Sequence, residues 1–176
     1  MRHIILGFGA LLLAVHAQAK SVSVGEVVFV IGQANTQPAA EAAPAQLIKR
    51  GASIHVGDVI TTSGNAHVHV RFVDGAFLSV RPGSRLKVVD YDYNSQAPKK
   101  STVRFDLQEG VARSITGAAG QAAKDRFRLN TPVAALGVRG TDFSVYTRDL
   151  ESVVAVNSGA VVVAPFGASC SQSGLG

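Results

Sequence analysis

Two histidines one residue apart, His67 and His69, form the sequence's most metal-like spacing. On a strand they share a face, about 7 Å apart between Cα atoms, and two imidazoles there can share a divalent cation. The next residue on that face is Arg71, a cation that opposes a bound metal, and no third ligand follows nearby. The pair is therefore a weak metal candidate, and a solvated polar strand face explains it. Asp58, Asp74, Asp92, Asp106 and Asp142 could supply a carboxylate pair for acid–base chemistry. Asp58 and Asp74 each sit beside a glycine, where an Asx-type bond to the local backbone accounts for them without catalysis. No nucleophile elbow, phosphate loop, His-Glu-x-x-His or dinucleotide fingerprint occurs after the first apolar run. The sole cysteine, Cys170, lies near the end with no histidine after it. One cysteine excludes an internal disulfide and leaves a free thiol or half of an intermolecular bridge. The expectation is a non-enzyme that needs no cofactor.

The most distinctive stretch is 131–145, Thr-Pro-Val-Ala-Ala-Leu-Gly-Val-Arg-Gly-Thr-Asp-Phe-Ser-Val. Gly137 and Gly140, three apart inside an apolar strand, predict a close backbone approach or a bulge that turns a corner. Arg139 between them either points out of that corner or pairs with Asp142. Arg139 and Asp142 are the candidate partner-contact residues. Gly57, Asp58, Asp74, Gly75, Gly137, Gly140 and Thr141 are the residues expected to define the fold.

The elements that must carry these residues read as β almost throughout. Val68, Val70 and Phe72 alternate with His67, His69 and Arg71, the period of a half-buried strand, and Asp74-Gly75 follows as a turn. Apolar triplets flank an acidic residue or Asn and a glycine near Gly75, Gly110 and Gly159, with Glu109-Gly110 and Asn157-Ser158-Gly159 read as turns. Their spacing is too uneven for a strict repeat. It fits an all-β, irregular β-solenoid or stack of hairpins, with a β-sandwich or jelly roll as the alternative. Residues 37–46, rich in Ala and Pro, read as a loop or short helical turn. Residues 94–101 read as a polar loop, and 117–123 as a flexible tip or one helical turn.

Residues 1–19 carry a short basic start, an apolar run and an Ala17-Gln18-Ala19 site, the pattern of a cleaved export signal. The run is too short to span a bilayer, which takes about 20 apolar residues. The mature chain is expected to start at Lys20, to contain no transmembrane helix, and to be periplasmic or secreted. The β domain is then 20–165, and 166–176 is a Gly/Ser-rich tail that could open into a longer chain. The 176 residues carry 17 Lys+Arg against 12 Asp+Glu, a formal charge of +5 to which the leader's Arg2 contributes one. That excess is mild and spread along the chain, and there is no Trp, so neither a basic stripe nor a stacking platform for nucleic acid is present.

Three blocks together resemble the FecR domain: Gly57-Asp58-Val59-Ile60-Thr61-Thr62, the run from Phe72 to Ser84 through Asp74-Gly75 and Arg81-Pro82-Gly83, and Gly137-Val138-Arg139-Gly140-Thr141-Asp142-Phe143. Their order and spacing match that family over roughly Gly25 to Ala164. The resemblance implies a bacterial periplasmic β-solenoid-like domain that works by binding proteins. The best-known members relay the state of an outer-membrane iron–siderophore transporter to an extracytoplasmic sigma factor. This chain departs from that plan, because no cytoplasmic anti-sigma segment precedes its apolar run. The resemblance therefore implies an exported, stand-alone module that docks an envelope protein, such as an outer-membrane receptor or a membrane-bound regulator. A structural or glycan-binding envelope protein is the alternative.

Overall fold

The computed structural model describes residues 22–39, 43–168 and 170–171. The expected export signal, residues 1–19, lies outside them. Among the described residues twelve strands follow one another: β1 (Ser23–Ile31), β2 (Ala34–Gln37), β3 (Gln46–Leu47), β4 (Ser53–His55), β5 (Val59–Thr62), β6 (His67–Phe72), β7 (Phe77–Val80), β8 (Arg85–Asp92), β9 (Thr102–Ile115), β10 (Phe127–Asn130), β11 (Ala134–Arg148) and β12 (Glu151–Pro165). A five-residue helix, α1 (Ala118–Ala122), sits between β9 and β10. Among the described residues no helix is long and apolar enough to cross a membrane. The fold is all-β, as the alternating pattern predicts.

All twelve strands belong to one curled sheet, in the order β3-β2-β5-β8-β9-β7-β6-β1-β4, onto which β10, β11 and β12 are added beside β9. Every pairing is antiparallel except that of β10 with β9. The long strand β9 is the spine. Its first half, Thr102–Glu109, pairs with β8, and its second half meets β7 along Ala112–Ile115. On its other edge the same two halves meet β10 and then β11. One strand thus joins two arms of the sheet, and it must bend where its partners change.

That bend is at Gly110, which the sequence suggests is a turn but which lies inside β9. Its φ is +88°, and an added Cβ would collide with the Gly83 carbonyl oxygen and with Ser84 Cα, each 2.6 Å away. The tripeptide at Asn157–Gly159 is likewise continuous strand, in the middle of β12. Both glycines supply the positive φ that a tight turn and a bulge equally demand. The segment 117–123 is packed rather than a flexible tip, with Ala119 and Gly120 of α1 buried.

The core lies inside the curl. Aromatic residues are 6% of the chain, yet five of them form one continuous row there. Phe72 stacks on Tyr91 at 4.3 Å, both rings tilt against Phe105, and edge contacts lead on to Phe127 and Phe143. The row ties β6, β8, β9, β10 and β11 together. Aliphatic side chains with no measurable exposure, among them Val27, Ile54, Ile60, Leu86 and Leu136, fill the space around it.

Candidate functional site

The expected chemistry-bearing residues fall into separate neighbourhoods. His67 and His69 share the outer face of β6, where His69 stacks on Phe29 at 4.9 Å and meets the edge of Phe77 at 5.2 Å. Partial burial, then the charges of His67 and Arg81, lower its pKa. These ring contacts give His69 a packing role. Among the described residues no three His, Cys, Asp or Glu side chains cluster as a metal site would require.

Asp58 is buried just after Gly57 and takes the His55 N–H at 2.9 Å, with His55 Nδ1 at 3.5 Å. Asp74 does more than the Asx bond expected of it. Oδ1 accepts the Ala76 N–H at 3.0 Å and the Tyr91 hydroxyl at 2.5 Å, while Oδ2 accepts the Ala119 N–H at 2.9 Å. One carboxylate thus joins the β6–β7 turn, β8 and the start of α1. Burial, then the Asp74 charge and hydrogen bond, push the Tyr91 hydroxyl's pKa strongly upward. Gly117 makes the approach possible, since a Cβ there would strike Ala76 N and Asp74 Oδ2. Neither Tyr91 nor Gly117 stands out in the sequence, because their partners are distant along the chain.

The register of β11 against β12 slips between Arg139 and Asp142, at Gly140, whose φ is +63°. Thr141 is buried there and clasps Thr116 at the end of β9: the hydroxyls lie 3.1 Å apart and Thr116 Oγ1 donates to the Thr141 carbonyl at 3.0 Å. Asp142 pairs with Arg113 rather than with Arg139, through two bonds of 2.8 and 2.6 Å. Hydrogen bonding to Arg113 holds the Asp142 carboxyl below its usual range and raises the Arg113 pKa. Arg113 was missed because 29 residues separate it from Asp142. Gly137 has no positive φ, and nothing lies within 4 Å of where its Cβ would be, so the backbone at this position does not require glycine.

Two surface features remain on this side of the sheet. One is a groove of about 650 Å³, floored by Gly137 on β11 with Val162 and Ala164 on β12, and flanked by Lys124, Arg128 and Arg139. Cys170 and Ser171 form its far wall. Arg128 is buried there, donating to Asn130 Oδ1 at 2.7 Å and to the Ser171 carbonyl, with its guanidinium 5.9 Å from the Phe166 ring centre. The Cys170 thiol faces the Ala164 carbonyl at 3.8 Å.

The other feature is β12 itself. It is 15 residues long and pairs only with β11, which leaves its outer edge open among the described residues. No charged side chain occurs from Ser152 to Pro165. Val153, Val156, Val162 and Val163 are 46–56% exposed.

With this geometry established, the chain can be set beside known proteins. The family model described as FecR protein matches residues 58–162. No curated protein matches the chain. Among solved structures, a candidate anti-sigma factor from Parabacteroides distasonis is similar at 21% identity and a TM-score of 0.44, over 61% of this chain and 50% of that one. A cell surface anchoring domain is similar at 23% identity and a TM-score of 0.35, over 37% of this chain and 83% of that one.

Proposed function

This chain belongs to the FecR family, and on that premise we propose that it is a non-catalytic binding module of the bacterial envelope. In this reading residues 1–19 are removed on export, residues 20–165 form the recognition domain, and the domain takes part in signalling by docking another envelope protein. The observation that carries the docking step is the open edge of β12. An unpaired strand edge offers a row of N–H and C=O groups to an incoming strand, and natural sheets usually blunt such an edge with charge, proline or brevity. From Ser152 to Ala164, β12 has none of these. A partner strand added there would gain affinity from main-chain hydrogen bonds and specificity from the side chains it meets.

Hydrogen exchange on the exported protein, with and without a co-purified envelope partner, tests this. Docking along the edge slows exchange across 152–164 and leaves β1 and β4 unchanged. Substitution of Val153→Lys and Val156→Lys, both on exposed side chains, should abolish capture with little change in melting temperature. Capture that persists with both lysines, or protection confined to other strands, refutes the edge as the docking site.

A further inference from the structure

The groove beside β12 has a composition that strand docking does not account for. Its floor is one face of the β10–β11–β12 ribbon. Gly137 and Val162 lie opposite one another across the β11–β12 pairing, as do Ala135 and Ala164, so small and aliphatic side chains line the bottom. Three cations, Lys124, Arg128 and Arg139, stand around it against one carboxylate, Asp125. Among the described residues neither Lys124 nor Arg139 lies within ion-pair distance of a carboxylate. Arg128 is anchored by Asn130 and the Ser171 carbonyl, which fixes its guanidinium at the Phe166 end. Arg139, two residues beyond Gly137, stands toward the other end. From Ala135 to Arg139 the floor runs about 13 Å along the strand. The volume is that of a site for a small organic molecule, which typically spans about 300–1,000 Å³.

Gly137 is informative here. Glycine in a strand interior usually answers to a positive φ or to a close backbone approach. Gly137 has neither. What its missing side chain does is leave the groove floor open between the cations. A β-branched residue would suit the strand better and would set its methyl groups on the groove floor between the cations.

We propose that this groove binds a free, elongated apolar carboxylate, with its chain over Gly137 and Val162 and its carboxylate at Arg139 and Lys124. Charge complementarity selects the anionic head, and the small-residue floor accommodates the chain. The proposal does not rest on β12 docking a partner strand, although Val162 borders both sites.

Isothermal calorimetry of the full chain with decanoate, below its micellar concentration, is the direct test. Decanoate should bind with a micromolar Kd, and octanoate about tenfold more weakly, since each methylene withdrawn from water contributes to affinity. Decyltrimethylammonium, with the same tail and the opposite charge, should not bind. Gly137→Val should abolish decanoate binding while leaving the melting temperature unchanged or raised. Arg139→Ala should weaken it at least fivefold with the fold intact, because a charge-assisted hydrogen bond is lost. The proposal is overturned if the full chain takes up no decanoate, if the ammonium amphiphile binds equally, or if the folded Gly137→Val variant binds decanoate as the parent does.

Discussion

The bend in β9 makes a quantitative prediction through Gly110→Ala. Two costs add. Holding an L-residue in the left-handed region costs about 1–2 kcal/mol, and Gly110 sits at φ +88°. The new methyl would also meet the Gly83 carbonyl oxygen and Ser84 Cα at 2.6 Å. Those are backbone atoms, and Ser84 is held by the bond from the Val111 N–H to its hydroxyl at 2.8 Å, so neither can swing aside. Overpacking of this kind costs about 1–3 kcal/mol. The sum, about 2–5 kcal/mol, is a large part of the about 5–15 kcal/mol that holds a domain folded. Gly75→Ala is the internal control, because Gly75 has nearly the same φ, +83°, with nothing within 4 Å of an added Cβ. It should lose only the conformational cost. Urea unfolding of both variants measures the difference, and at a slope of about 2 kcal/mol/M the Gly110→Ala midpoint should fall by about 1–2.5 M. Equal midpoints for the two variants, at an unchanged slope, would refute the claim that β9 is bent by close contact with the β7–β8 turn.

Tyr91→Phe removes the hydroxyl that bonds Asp74 and should cost about 1–2 kcal/mol in urea unfolding, with faster hydrogen exchange in α1, which the same carboxylate anchors. The Asp142 carboxyl is held below its usual range by Arg113, so folding favours its ionised form. That stabilisation is complete at neutral pH and fades as pH falls below about 4. The pair is partly exposed, so thermal melts between pH 3 and 6 should show Asp142→Asn losing less than about 1 kcal/mol at pH 6, a loss that shrinks toward zero as pH falls below about 4. His69 is shifted the other way in charge, its neutral form being favoured in the fold. Stability should therefore decline as pH drops below about 6.5. His69→Phe, which keeps the ring contacts to Phe29 and Phe77, should flatten that decline in melts from pH 7.5 to 5.

The all-β class, the alternation in β6 and the hairpin at Asp74-Gly75 were legible because period-2 burial and turn chemistry are local properties. Glu109-Gly110 and Asn157-Ser158-Gly159 misled for a physical reason. A glycine with positive φ serves a hairpin and a bulge equally well, and only the partner strand decides which forms. At Gly110 the partners change from β8 to β7, so the strand bends and continues. Gly137 misled in the opposite sense. It looks like a backbone requirement, yet its φ is ordinary and its surroundings are open. The Arg113–Asp142 pair and the Asp74 hub were invisible because the groups they join are 29 and as many as 45 residues apart. Only a folded sheet reveals such neighbours.

The edges of this sheet differ in a way that bears on function. Where the path of strands ends at β3 and at β4, the edge strands are two and three residues long, too short to template an intruder. Short edge strands are a common defence against unwanted pairing. At β12 that defence is absent over 15 residues, and the exposed side chains are valines, which suit a pleated surface that another strand covers. The same curl that closes the core around the aromatic row carries β11 and β12 out beyond β9, where β12 has a neighbour on one side only. A strand added there would be the next member of the sheet, aligned by the backbone already in place. Its side chains would then decide, against Val153, Val156, Val162 and Val163, whether it stays.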